Sequence, residues 1–217
     1  MSAQVKRIAL HGQVPETRGV TVASASATPR VFLLSPAHAG GRRAASLLRA
    51  GATFDLACRL QTTGIPLGEA FSFMSSLYFR GKLAYAETFA NPPPGVASCF
   101  VITPTRGLVE PTAVVRLEDL CRISNGRVDI MDPEYRDPLD RDLACLSEQI
   151  GAHVRVVLLG SIATRKYIPL LRGALGNRLV IPRDFVGLGN MSRGALLLRC
   201  VQEQAELEYI SVTDLPT

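Results

Sequence analysis

Four short runs of apolar, largely β-branched residues constrain the fold most: Val31–Leu34, Phe100–Ile102, Val154–Leu159 and Leu179–Ile181. None of them alternates with polar residues, which is typical of strands buried on both faces. Each run is followed by a polar or glycine-bearing turn and, later, by a helix-like segment. This succession predicts an α/β fold of three layers, α/β/α, around a central and mostly parallel four-stranded sheet.

The remaining segments complete a single predicted domain over residues 1–217, with its core at 31–206. Residues 1–30 and 207–217 are expected to add peripheral strands, because Val5–Leu10, Val20–Ala23 and Leu207–Val212 form β-type runs. These three runs predict a small antiparallel layer. Further helices are predicted at Leu67–Ser75, Tyr78–Phe89, Leu117–Ile123 and Leu139–Ile150, the last with Pro138 at its first position.

Composition excludes several classes of protein. With 47% hydrophobic and 20% charged residues in 217, the chain is typical of one soluble globular unit. Its five cysteines contain no Cys-x-x-Cys pair, which argues against a disulfide framework and a zinc site. No signal-peptide pattern and no run near the ~20 apolar residues of a membrane span occur. We therefore expect a cytoplasmic protein with no metal, cofactor or membrane partner; its oligomeric state stays open.

The charge distribution favours nucleic acid as a partner. The net charge is +5, yet residues 115–150 and residues 201–217 each carry −4, so the rest of the chain carries +13. Such polarity favours a basic face for nucleic acid. Arginine supplies most of the positive charge, which suits phosphate recognition but is also expected from codon usage in a GC-rich genome.

Polar side chains cluster where the four predicted strands end, at the edge where an open parallel sheet binds ligands. The first strand end, SPAHAGGRRA, combines His38, a candidate acid–base group, with glycines and arginines that suit an anion. A plain glycine turn with solvated arginines and a structural histidine is the alternative. Candidate phosphate contacts at this and the next two strand ends are Ser35, Gly40, Gly41, Arg42, Arg43, Arg106, Ser161 and Lys166.

The last strand end, PRDFVGLGNMSRG, carries the densest set of functional groups. Asp184 is a candidate base or cation stabiliser, and Phe185 a candidate stacking ring. Asn190, Ser192 and Arg193 are candidate contacts for amide or phosphate oxygens. The alternative is an ordinary strand-to-helix connection in which Ser192 caps the helix.

A segment rich in phenylalanine and tyrosine, GIPLGEAFSFMSSLYFRGKLAYAETF, follows the first helix-like stretch. Aromatic residues at this density are typical of a core. The alternative is a stacking wall over a base, with Phe73 as a stacking ring, Glu69 as the carboxylate at its entrance, and Arg80 and Lys82 beside it.

The order of these segments resembles that of the uracil-DNA glycosylase superfamily. VRVVLLGSIATRKYIPLL is similar to that family's penultimate strand, loop and helix, and LVIPRDFVGLGNMSRGALLLR stands where its last catalytic and DNA-intercalating loop lies. SPAHAGG occupies the position of the first loop. The resemblance covers most of residues 30–200 and implies a base-binding pocket at the carboxyl edge of a four-stranded parallel sheet.

The chain departs from the family in its motifs, since SPAHAGG lacks the usual Asp or Asn and the last loop lacks His-Pro-Ser. Glu69 or Asp184 would then supply the carboxylate. The resemblance, which extends to bacterial anti-phage glycosylases, implies a DNA N-glycosylase that flips and excises a damaged or modified base. A nucleotide- or sugar-phosphate-processing enzyme and a non-catalytic nucleic-acid-binding module are the alternatives.

Overall fold

The computed structural model describes residues 28–75, 77–161 and 166–214. Within them the strands are β1 (Arg30–Leu34), β2 (Ile65–Pro66), β3 (Cys99–Thr103), β4 (Gly107–Val109), β5 (Val114–Val115), β6 (Arg155–Leu159), β7 (Leu179–Pro182) and β8 (Tyr209–Ser211). The helices are α1 (Arg42–Leu48), α2 (Asp55–Thr62), α3 (Leu67–Ser75), α4 (Leu77–Phe89), α5 (Leu117–Asn125), α6 (Pro133–Ile150), α7 (Ile168–Leu175) and α8 (Asn190–Glu203).

The main sheet has the strand order β4-β3-β1-β6-β7-β8. Its four central strands are parallel and correspond to the four apolar runs, so the predicted α/β/α fold with a mostly parallel sheet is confirmed. The sheet is wider than predicted because β4 and β8 add antiparallel edges. The C-terminal run Leu207–Val212 contains β8, whereas Val5–Leu10 and Val20–Ala23 lie outside the described residues.

Both faces of the sheet are covered. Along β1, Phe32 and Leu34 pack on the face covered by α1, α3, α4 and α8, while Val31 and Leu33 pack on the face covered by α6 and α7. Successive side chains of a strand point to opposite faces. A strand with helices on both sides therefore needs an uninterrupted apolar run, which is the pattern that the sequence shows.

Helix α6 begins before its predicted start at Leu139, and helix α8 begins within the segment PRDFVGLGNMSRG that follows the last predicted strand. Helix α6 starts at Pro133 because the Asp132 side chain accepts a hydrogen bond from the Glu134 amide, and Pro138 lies inside the helix. Helix α8 starts at Asn190, directly after the extended Gly189. The functional candidates at the start of α8 are therefore held on a helix and not in a loop.

Candidate functional site

A cavity of about 400 Å³ lies at the carboxyl edge of the sheet. Residues that follow β1, β3 and β6 line it, and Asn190 at the start of α8 closes one side. Helices α3 and α4 contribute the aromatic wall, formed by Phe71 and Tyr78. The cavity brings together seven residues that the sequence nominated or that adjoin them: Ser35, His38, Gly40, Ser161, Lys166, Tyr167 and Asn190.

His38 is held against the backbone of Gly40. A methyl group added at Gly40 would lie 3.1 Å from both Cε1 and Nε2 of the His38 ring, closer than ordinary van der Waals contact. The next residue, Gly41, has nothing within 4 Å of the same position. The exposed His38 ring thus lies close to Gly40, whereas Gly41, Arg42 and Arg43 do not line the cavity and the two arginines are exposed.

Lys82, which the sequence places beside the candidate aromatic wall, is buried directly behind Ser35. Lys82 is only 1% exposed, and its Nζ donates hydrogen bonds to the Ser35 carbonyl oxygen at 2.5 Å and to Ser35 Oγ at 2.9 Å. Burial lowers the pKa of Lys82 to about 7. Its position on the apolar stripe of α4, four residues after Tyr78 and three before Tyr85, is the signal that identifies it, because this spacing marks one helix face.

Two hydroxyl groups on the cavity wall make no hydrogen bond of ordinary geometry to any residue that the structure describes. They are Tyr78 Oη and Ser124 Oγ, both shielded from solvent. Burial raises the pKa of Tyr78, and the nearby Arg193 guanidinium opposes that effect in part. Buried polar groups without a partner are rare and costly. Because both oxygen atoms are shielded from solvent, a ligand reaches them only if this wall moves.

The loop after β6 is shaped by Gly160 and Tyr167. The Tyr167 hydroxyl donates to the Ser161 carbonyl oxygen at 2.8 Å. A methyl group at Gly160 would lie 2.8 Å from Tyr167 Oη and 3.1 Å from Ser35 Cβ, so only glycine fits between these two walls of the cavity. Lys166 lines the cavity with its side chain exposed to solvent.

Arg193 and Phe185 lie inside the protein, away from any ligand. Phe185 is 1% exposed, and Arg193 donates to its carbonyl oxygen through Nε at 3.2 Å and Nη2 at 2.7 Å. The guanidinium carbon is also 5.2 Å from the centre of the Phe185 ring. The expected stacking and phosphate roles are corrected accordingly: this ring has no free face for a base, and this guanidinium supports the loop before α8.

Asp184 and Ser192 lie in a shallow groove that is separate from the cavity, together with Arg199. Asp184 is exposed there. The side chains of Asn190 and Ser192 point in different directions, because each residue of a helix turns by about 100°. Two residues along α8, Ser192 therefore faces the groove and not the cavity. The structure therefore does not bring Asp184 to the cavity that Asn190 lines.

Glu69 and Phe73 face away from the cavity for the same reason. Glu69 forms a two-point ion pair with Arg59, with both N–O distances at 2.8 Å. Phe73 stacks on Phe54, with ring centres 5.5 Å apart. Helix positions four apart share a face, and the pair that lines the cavity from α3 is Phe71 and Ser75.

Arg106 belongs to a second cleft, between the β3–β4 hairpin and α6. Its Nη1 lies 3.6 Å from Asp119 Oδ1, and the same cleft contains Glu110 and Asp142. The predicted phosphate contact at Arg106 is thus not part of the carboxyl-edge cavity.

None of the described residues that line the cavity is acidic. Over residues 28–75, 77–161 and 166–214 no group of three or more His, Cys, Asp or Glu side chains is arranged to hold a metal ion, and no helix is long and apolar enough to cross a membrane. Acid–base chemistry in the cavity therefore falls to His38, Lys166, the tyrosines and, through Ser35, to Lys82. Comparison of the chain with protein-family models, with curated proteins and with solved structures gave no match.

Proposed function

We propose that this protein is a DNA N-glycosidase whose cavity receives one nucleotide extruded from a duplex and hydrolyses the bond between its base and its sugar. One observation carries the proposal. The α8 start that closes the cavity through Asn190 also presents an exposed apolar tip, with Leu188 at 37% and Met191 at 66% exposure. A cavity and an apolar tip on one segment are what a base-extruding enzyme requires.

The cavity suits a nucleobase in size and chemistry. Its volume of about 400 Å³ lies in the range of small-ligand pockets, about 300–1,000 Å³. Phe71 and Tyr78 supply aromatic surface, which favours a flat ring. The unpartnered hydroxyls of Tyr78 and Ser124, together with the Asn190 amide, offer donors and acceptors for the edge of a base.

The apolar tip supports duplex DNA as the source of that base. Val186, Leu188 and Met191 stand exposed around Gly187, whose φ of 81° is left-handed backbone that favours glycine. Apolar side chains of this type enter base steps and unstack them. Val186 and Leu188 line the groove that also holds Asp184, and Met191 follows Asn190 on α8, so an apolar wedge inserted here would enter the duplex next to the segment that borders the cavity.

Exposed cations beside the cavity support contact with the phosphate backbone. Arg42, Arg43 and Lys166 are exposed, and none of them takes part in an ion pair recorded among the described residues. Cations without acidic partners are available to displace counterions from DNA. Arg42 and Arg43 act in this proposal at the outer edge, because they do not line the cavity.

His38 is the group that we assign to activation of water. It lines the cavity beside Gly40, and imidazole is the side chain that most often exchanges protons near neutral pH. Attack by water on the sugar C1′ releases the base, and His38 accepts the proton of the water. This replaces the carboxylate roles predicted for Glu69 and Asp184.

The test is a single-turnover excision assay on duplexes that contain uracil, alkylated, oxidised or phage-modified bases. We expect an abasic site in at least one duplex. His38→Gln should lower the rate by about 10²-fold or more, in the range of a lost general base, and His153→Gln is the matched control because His153 follows α6, away from the cavity. Wild-type protein that leaves every duplex intact would refute the proposal.

A free nucleotide or sugar phosphate is the second candidate, favoured by Lys166, whose cation lines the cavity itself. Salt titration separates the two, because duplex binding releases several counterions and weakens steeply with salt, whereas a mononucleotide gives a shallow slope. Steeply salt-dependent duplex binding without excision would instead indicate a non-catalytic nucleic-acid-binding module.

A further inference from the structure

Lys82 is a buried cation without an acidic partner. It is 1% exposed, and none of the ion pairs recorded among the described residues includes it. Its only polar partners in the recorded hydrogen bonds are the two oxygen atoms of Ser35. A buried charge that is not paired is strongly unfavourable unless it is neutralised or used, and such groups concentrate at functional sites.

The groups around Lys82 connect its charge to the cavity through Ser35. On α4 itself its Nζ lies 4.6 Å from the centre of the Tyr78 ring and 4.9 Å from that of Phe79. From α8, Arg193 is a second cation, and it acts on the Tyr78 hydroxyl. From the end of β1 it meets Ser35, which lines the cavity alongside His38.

We propose that Ser35 and Lys82 form a proton relay into the cavity, in which Ser35 Oγ donates to the bound ligand and Lys82 Nζ replaces that proton. The reaction that it serves rests on the proposed function. Ser35 is the catalytic residue because it touches the ligand, whereas Lys82 acts through Ser35. The 2.9 Å contact between Nζ and Oγ is a direct hydrogen bond, so the proton needs no intervening group.

The relay supplies the proton that a departing base needs. As the bond between C1′ and the base nitrogen breaks, its electron pair passes to the base, which takes the proton of Ser35 Oγ. Lys82 Nζ gives a proton to Oγ in the same step and becomes a neutral amine. Water adds its oxygen to C1′, its proton goes to His38, and solvent returns a proton from His38 to Lys82 after release.

Burial prepares Lys82 for this exchange. It lowers the pKa of the ammonium to about 7, and a general acid is most effective when its pKa lies near the working pH. Loss of the proton also removes the cost of the buried charge. The relay therefore selects ligands whose acceptor gains negative charge at Ser35, as a nucleobase does when it leaves.

Lysine NMR tests the pair without requiring turnover. The chain has three lysines, Lys6, Lys82 and Lys166, so protein labelled with ¹³C at lysine Cε gives three signals, and Lys82→Met removes the one of interest. We expect this signal to titrate near pH 7. Ser35→Ala should lower its midpoint by about one pH unit, because a hydrogen bond to the charged form is lost, while Ser72→Ala on α3 should not.

Excision kinetics test the transfer itself, on whichever duplex the wild-type protein cleaves. The wild-type rate should fall tenfold per pH unit above the Lys82 midpoint. Ser35→Ala and Lys82→Met should lose that dependence and be about 10²-fold slower at pH 6.5. Lys82→Arg keeps a cation that does not release its proton, so it should also be slow and insensitive to pH, and Lys82→Met covers the case in which arginine does not fit.

The outcomes separate the relay from the proposed function. Excision whose pH dependence survives in Lys82→Met, or whose full rate survives in Lys82→Arg, overturns the relay and leaves the glycosidase intact. No excision from any duplex overturns the glycosidase, and the NMR arm then decides the pair: a midpoint that Ser35→Ala moves by about one unit supports it, and an unmoved midpoint overturns it.

Discussion

Gly81 of α4 and Gly194 of α8 meet backbone to backbone. A methyl group added at Gly81 would lie 2.7 Å from the Gly194 carbonyl oxygen, and one added at Gly194 would lie 2.9 Å from Tyr78 Cα. Neither neighbour is the end of a flexible side chain, so neither can move aside cheaply. This close approach holds Tyr78 and Lys82 on one helix against the Asn190 end of the other.

Gly194→Ala should destabilise the protein by roughly 1–3 kcal/mol, the usual cost of overpacking. Gly173→Ala is the matched control, because Gly173 lies in helix α7 with nothing within 4 Å of an added methyl group. There we expect no loss, and a gain of up to about 1 kcal/mol from helix propensity. Urea unfolding of the two variants measures the difference; equal stabilities would contradict the close approach.

Gly40→Ala should displace the His38 ring and lower excision at least tenfold, since a misplaced catalytic group loses much of its effect. Gly41→Ala should keep near wild-type activity, because its position is open and its φ of −90° is accessible to alanine. Circular dichroism and thermal melting serve to show that both variants are folded. Equal activities in the two variants would mean that His38 is not the acting base.

The sequence predicted the sheet well because its signal is redundant. In β1 and β6 every position after the first arginine packs against the helices on one face of the sheet or the other. The uninterrupted apolar run in the sequence reflects this packing on both faces. The sequence carries a weaker signal for the direction in which a helical side chain points. Glu69 and Phe73 were correctly expected on a helix, but two positions turn the helix by about 200°, which places Phe71 and Ser75 at the cavity instead.

The start of α8 shows the same limit. In a loop, the side chains of Asn190, Ser192 and Arg193 would be able to contact one ligand. On a helix they point in three directions: Asn190 to the cavity, Ser192 to the groove and Arg193 into the core. The burial of Lys82 was not predicted for a different reason: a lysine beside an aromatic segment is ordinarily expected at the surface. Its partner Ser35 is distant in sequence, so only the fold reveals the contact.

Stability should depend on pH through Lys82. Its folded pKa of about 7 lies below the ordinary 10.5, so the unfolded chain binds more protons between these values and stability rises with pH, by up to about 1.4 kcal/mol per unit. Lys82→Met should lack this rise. Urea unfolding from pH 7 to 9 measures it, below the range in which Tyr85, with its pKa raised to about 12 by burial, begins to oppose it. Parallel curves would show that Lys82 stays charged.

Glu69→Gln and Asp184→Asn should each excise at close to the wild-type rate, because neither carboxylate lines the cavity. Asn190→Ala should alter the preference among bases, since it removes an amide from the cavity wall. Single-turnover rates on two or more cleaved duplexes give both readings. A loss of about 10²-fold in Asp184→Asn would place the groove of Asp184 in the reaction and remove His38 from its assigned role.

The unpartnered hydroxyl of Tyr78 gives a prediction in which stability and binding move in opposite directions. Tyr78 is 8% exposed, and its Oη makes no hydrogen bond of ordinary geometry to the described residues, although the Arg193 guanidinium lies near enough to oppose the rise in its pKa. A buried hydroxyl without a partner costs about 1–3 kcal/mol, so Tyr78→Phe should make the free protein equally or more stable. If the hydroxyl serves a ligand, the same variant should bind an abasic-site duplex together with its free base severalfold more weakly.

Tyr135→Phe separates a ligand role from a purely structural one. Tyr135 also carries a buried hydroxyl without a hydrogen-bond partner, but it packs on the opposite face of the sheet, in the core formed with α6 and α7. Its loss should therefore change stability in the same direction as Tyr78→Phe and leave binding unchanged. Thermal melting and equilibrium titration of both variants measure the two quantities side by side. The two substitutions remove the same atom from similarly buried positions. Weaker binding in Tyr78→Phe alone would therefore assign the Tyr78 hydroxyl to the ligand. Equal binding in both variants would show that this hydroxyl has no role in binding.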